Sequence, residues 1–118
     1  MIEIVFYETE DGKNLVREFL RSIEPKMRVK IARTISLLKV YGYELREPYS
    51  KSLGDGIFEL RTQFGGNISR VLYFFVVNGK AVLTHGFIKK TQKTPQQEID
   101  RVKRYREDYL KRKAEGKG

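Results

Sequence analysis

Three kinds of residue in this chain are of a type and spacing that could do chemistry together: a strand arginine, a lone histidine and a knot of lysines. Arg70 lies in "SRVLYFF" (69–75), His85 opens "HGFIKKTQKTP" (85–95), and Lys89, Lys90 and Lys93 follow it directly. Cations gathered where a strand ends and a helix begins fit an anion such as a phosphate. The chain has no cysteine and one histidine, which excludes thiol chemistry, cysteine-ligated zinc and a His-rich metal site. It has no GxxxxGK[ST] loop, no Ser/His/Asp arrangement and no carboxylate cluster suited to two-metal phosphoryl transfer. The chemistry left open needs neither metal nor cofactor: cleavage of RNA by attack of a 2′-hydroxyl on its adjacent phosphate. Arginine and lysine would stabilise charge on the phosphorane, and His, Glu, Tyr or a depressed Lys would move the protons. DNA lacks the attacking hydroxyl.

The elements that would position these residues follow from turn signals. Asn78-Gly79, flanked by β-branched and aromatic residues, predicts a hairpin with a two-residue loop. That register pairs Val77 with Lys80, Phe74 with Leu83, Leu72 with His85 and Arg70 with Phe87. Arg70, Leu72, Phe74, Leu83, His85 and Phe87 then share one face, and Val71, Tyr73, Phe75, Val82, Thr84 and Gly86 the other. Arg70 and His85 become diagonal neighbours, within reach of one phosphate. Arg61 joins them if a four-residue turn precedes Arg70, and faces away if the turn has three residues.

Each candidate also has an ordinary reading. A lone histidine on an apolar face is more often a core residue than a catalyst, and lysine runs are usually solvated. Convergence is what favours a site, since Arg70 and His85 lie near the ends of strands that feed the lysine segment.

"IEIVFY" (2–7) predicts the first strand. Thr9 or Asp11 would cap a helix over 12–23, and Pro25 would open a second that stops at Gly42. Residues 43–55 read as a loop. Strands follow over 57–64, 68–77 and 80–88. Thr94, Pro95 and Gln97 predict an N-cap, a first-position proline and a capping-box partner for a basic helix over about 95–112. The order β-α-α-β-β-β-α predicts one α+β domain over residues 1–118, with a small, mostly antiparallel sheet and a helical hairpin on one face.

Of the net charge of +9, six units fall in residues 86–118. Such a field attracts polyanions, nucleic acid first among them. No apolar run is long enough to cross a bilayer and the N-terminus has no basic leader, which predicts a cytoplasmic protein with no membrane partner.

The order of elements, with "LGDGIFELR" (53–61), "SRVLYFF" (69–75) and "HGFIKKTQKTPQQEI" (85–99), resembles the RelE/HigB superfamily of toxins from type II toxin–antitoxin systems, nearest its phage-derived HigB-like branch. The resemblance covers nearly the whole chain. It implies a toxin that cleaves mRNA, often on the ribosome in contact with ribosomal RNA, and that a cognate antitoxin, expected to be a helix-turn-helix DNA-binding protein, neutralises. It implies that Arg70 stabilises the cleaved phosphate and that Lys89 or Lys90 lies near the scissile bond. Arg61, and more weakly Lys51, would hold RNA, with Lys93 on the rim. Where some relatives place a tyrosine or histidine near the C-terminus, this chain has Thr94 and Pro95. His85 is the favoured substitute, because Tyr73 falls on the face away from Arg70. Glu59 and Glu47 are possible bases. Three rivals remain: a gyrase-binding ParE-type relative, a non-catalytic nucleic-acid-binding module, and an interaction protein whose basic helix docks on an acidic partner.

Overall fold

Proline at the first position of a helix and glycine just past its end bracket the longest element of the helical hairpin. Pro25 opens α2 (Pro25–Tyr41), and Gly42, at φ +54°, donates its N–H back to the Leu38 carbonyl. α1 (Leu15–Ser22) precedes it. Neither Thr9 nor Asp11 caps α1, because the Thr9 hydroxyl is engaged with Asp11 and with the Lys13 amide in the preceding turn. Asn14, directly before the apolar periodicity, accepts from the Arg17 amide at 3.0 Å instead.

The computed structural model describes residues 1–116. β1 (Glu3–Phe6) precedes the two helices, and a short 3-10 turn (Gly42–Glu44) follows them. Then come β2 (Ser50–Gly54), β3 (Ile57–Phe64), β4 (Asn67–Val76), β5 (Lys80–Lys89) and α3 (Gln96–Ala114). The strands form one sheet in the order β1-β5-β4-β3-β2, antiparallel except for β1, which runs parallel to β5. The α+β class and the predicted order of the other elements hold.

The segment 43–55 is not wholly a loop, because it contains β2. This is a short edge strand whose side chains are mostly solvated, so "SKSLG" carries no apolar alternation. Its one fully enclosed residue is Ser50, whose hydroxyl lies 2.5 Å from that of Tyr73.

The sheet separates two cores. On one side Val16 of α1 and Met27, Ile31 and Leu38 of α2 pack against Leu60, Val71, Tyr73, Ala81 and Leu83. On the other, Val102 and Tyr109 of α3 pack against Ile57, Leu72, Phe74 and Val82.

The β4–β5 register departs from the predicted one near the turn and rejoins it further out. Val77, Asn78 and Gly79 form a three-residue loop, with φ of +70° at Asn78 and +69° at Gly79. Val76 therefore pairs with Lys80, and Phe74 with Val82 instead of Leu83. A bulge between Leu72 and Tyr73 then absorbs Thr84, which restores Leu72–His85 and Arg70–Phe87. Leu83 thus belongs to the core under α1 and α2, and Val82 to the one under α3.

Candidate functional site

Cross-strand pairing places the site residues on the α3 face in two rows. Arg61 of β3 lies opposite Arg70 of β4, which lies opposite Phe87 of β5. One step along, Lys51, Glu59, Leu72 and His85 form the next row across β2 to β5. The open question about Arg61 is answered by the turn: Phe64 pairs with Asn67 around Gly65 and Gly66, so Arg61 and Arg70 share a face.

Arg70 is completely buried. Its Nε lies 3.6 Å from Glu59 Oε1, and Arg61 Nε lies 3.3 Å from Glu59 Oε2, so two guanidiniums flank one enclosed carboxylate. The 90–95 segment covers this trio. The Thr91 carbonyl accepts from Arg70 Nη2, the Thr94 hydroxyl donates to Glu59 Oε1, and Gln92 Oε1 accepts from Arg61 Nη2 at 2.7 Å. Thr94 is therefore not the cap of α3. Pro95 takes that position, no side chain caps the helix, and the capping box with Gln97 does not form.

Arg70 is left underpaired by these contacts. Its Nε and Nη1 are inaccessible and have no hydrogen-bond partner. A buried donor without an acceptor costs about 1–3 kcal/mol, more when charged. Burial accordingly pulls the Arg70 pKa below its ordinary value, and Glu59 opposes that shift. Nη1 makes a fork with Nη2 that matches two oxygens of a phosphate once the Thr91 carbonyl gives way, while Nε lies on the other edge, towards Glu59.

His85 is 2% exposed and sits beneath α3. Its Nε2 lies 3.2 Å from Glu98 Oε1 and its Nδ1 3.0 Å from the Thr84 hydroxyl. A neutral ring with Nε2–H donates to Glu98, and the single Thr84 hydroxyl hydrogen is shared between Nδ1 and the Leu72 carbonyl at 3.2 Å. Burial, with the nearby Arg101 charge, lowers the His85 pKa to about 4 against the opposing pull of Glu98. Its rings of contact are Tyr105 and Phe87, and no hydrogen bond joins it to Arg70.

The lysines stay at the rim. Lys89 ends β5 opposite Ile68, and Lys89, Lys90 and Lys93 are exposed. Lys51 is exposed beside Glu59 on the edge strand. Glu47 is exposed and away from Arg70, lining a cleft with Tyr49 and Arg61. Tyr73 packs in the core under α1 and α2, on the face away from Arg70. Thr91, Gln92, Thr94 and Glu98 escaped sequence reasoning. Only the polar Thr91 and Gln92 set between the lysines hinted at a role for this segment. Among the described residues no group of three or more His, Asp and Glu could hold a metal ion.

Fold and site together define a small α+β domain whose sheet buries an arginine–carboxylate cluster beneath a lysine-bearing segment. The model of the phage-derived Gp49-like protein family matches residues 18–107, and the chain belongs to that family. A search of curated proteins finds no match. Among the described residues no helix is long and apolar enough to cross a membrane.

Proposed function

We propose that the protein is the toxin of a type II toxin–antitoxin pair, of the RelE/HigB kind, and cleaves mRNA without a metal. The observation that carries this reading is the buried Arg70 with two unpartnered N–H donors at the foot of a lysine rim. A phosphate bridging Nη1 and Nη2 would displace the Thr91 carbonyl, and one at the Nε edge would compete with Glu59 for the guanidinium. Arg70 would then stabilise the phosphorane, and Lys89 would add charge at the open end of the strand. Glu59, released from Arg70, would accept the 2′-hydroxyl proton as the 2′-oxygen bonds to phosphorus, and the departing 5′-oxygen would take its proton from water. The placement of His85 argues for a part in holding α3 to the sheet, since a neutral ring sealed under a helix has no route to a leaving group. Arg61, Lys51, Lys90 and Lys93 would hold the RNA chain, with ribosomal RNA supplying part of the surface the substrate docks on. The antitoxin, a helix-turn-helix protein, would cover the basic face.

The test is to induce the protein in a host cell beside Arg70→Ala and map 5′ ends across several mRNAs. In-frame cuts inside translated regions, reduced at least about 100-fold in the variant, are expected. Growth arrest with intact mRNA would reject the nuclease and favour gyrase as target.

One observation favours a second reading, a nucleic-acid-binding module without catalysis: Arg70 is wholly enclosed. That reading expects salt-sensitive binding, no cuts, and a modest loss of affinity in Arg70→Ala.

A further inference from the structure

β2 is too short to cover its neighbour. It pairs with β3 from Gly54–Ile57 to Ser50–Leu60, a last backbone bond runs from the Arg61 amide to the Tyr49 carbonyl at 2.8 Å, and β3 goes on without a partner on that side from Thr62 to Phe64. A cleft of about 500 Å³ opens along that bare margin, between β3, α2 and the 47–49 segment. Three cations line it: Lys30 and Arg33 from successive turns of α2, and Arg61 from the sheet. Glu47 is the one carboxylate in the wall. Lys30 donates to the Gln63 carbonyl at 3.0 Å and lies over the Phe64 ring, which holds α2 against the strand. Arg33 is exposed and makes no ion pair among the described residues. Leu37, Pro48 and the 45%-exposed Tyr49 supply an apolar flank.

Arg61 is the wall shared by this cleft and the Arg70 cluster. Its Nε faces Glu59, its Nη2 holds Gln92, and both Arg61 and Gln92 line the cleft. A chain whose phosphate rests at Arg70 would meet Arg61 next and then pass over the strand margin. There it finds cations for a phosphate and an aromatic face for a base, the pairing that single-stranded nucleic acid needs.

We infer that the cleft lined by Lys30, Arg33, Tyr49 and Arg61 binds a nucleotide of single-stranded RNA adjoining the one at Arg70, its phosphate on Arg33 and its base against Tyr49. The inference rests on the nuclease reading for its choice of RNA, and the experiment separates the two. A short 2′-O-methyl RNA of mixed sequence, which lacks the attacking hydroxyl, is titrated by fluorescence anisotropy, and amide shifts are mapped by NMR. Arg33→Ala and Tyr49→Ala should each weaken binding roughly tenfold. Arg104→Ala, which removes an exposed charge from α3, should cost no more than about twofold. Shifts should cluster at Arg33, Tyr49 and Gln63. On a cleavable RNA, both cleft variants should raise KM and leave kcat alone. Equal losses in Arg33→Ala and Arg104→Ala, with shifts elsewhere, would overturn the cleft assignment even if the protein cuts mRNA; an acidic peptide would then be its better occupant. Binding at the cleft by a protein that cuts no mRNA would uphold the site and reject the nuclease.

Discussion

Under α1 and α2, the buried polar groups are hydroxyls: Thr34 donates to Lys30 and accepts from Thr62 at 2.9 Å, and Ser50 meets Tyr73. Under α3, the buried polar groups include Glu59, Arg70, His85 and Glu98, all ionisable. The first set serves packing, since a hydroxyl is small and one neighbour meets its needs; the Ser69 hydroxyl, opposite Thr62 on this face, is the one left without a partner among the described residues. The second is expensive to enclose, and Arg70 is enclosed without being satisfied. Where charge is buried at a cost to stability, function is the economical explanation. One side of the sheet makes the fold, and the other spends part of that stability on a site.

The contrast can be broken most sharply with a pair of substitutions. Ile31→Ala, in the core under α2, should cost about 2–5 kcal/mol in denaturant unfolding. Arg70→Met should cost no more than about 2 kcal/mol, because it removes unsatisfied donors and the Glu59 carboxylate it leaves behind keeps Arg61 and the Thr94 hydroxyl. A large loss in Arg70→Met would mean that the cluster is structural after all.

The next test is pH. Folding holds His85 at a pKa of about 4, below its ordinary 6.5. The unfolded chain therefore binds the extra proton first, and stability that is complete above about pH 6.5 is lost as pH falls toward 4. The loss should reach ~3 kcal/mol by way of this one group. In His85→Gln that acid-side slope should flatten in a series of unfolding titrations. An unchanged slope would assign the acid sensitivity to the carboxylates instead.

The smallest effect belongs to the apolar side, where α1 meets β5. A Cβ built on Gly86 would lie 2.4 Å from the Phe19 ring of α1. Gly86→Ala should therefore cost about 1–3 kcal/mol by thermal unfolding, through displacement of Phe19. A neutral outcome would show that α1 shifts freely, and that the apolar side is softer than its packing suggests.

Much of the architecture was legible because local chemistry wrote it. Pro25 and Gly42 bound α2, and glycine-containing turns join the three long strands. The hairpin shows how a right answer can rest on compensating departures. The loop after Val76 is one residue longer than Asn-Gly alone suggests, and the bulge at Thr84 takes that residue back. Arg70 and His85 share a face for that reason, although Val82 and Leu83 exchange sides. A bulge depends on what packs above and below, so no local pattern announces it. β2 was missed because an edge strand with one buried serine has no apolar rhythm. The site was legible in its cations and not in their partners. Thr94 beside Pro95 looks like a helix cap, and only the fold brings it to Glu59, 35 residues away in sequence. The cleft was hidden for the same reason, since Lys30 and Arg33 read as surface charge until β3 is seen beside them.

The parallel pairing of β1 with β5 also sets when the molecule can be finished. Glu3–Phe6 hydrogen-bonds alongside Lys80–Leu83, so the N-terminal strand has no place in the sheet until the chain has been synthesised through most of its length. Contacts so distant in sequence slow folding, because the loop between them must close before any contact repays it. The α1–α2 hairpin can form early from local contacts, while its floor, a sheet completed from both ends of the chain, waits. The segment that seals Arg70 comes later still, after β5. A newly made copy would thus pass through a stage in which the helices exist and the basic face does not.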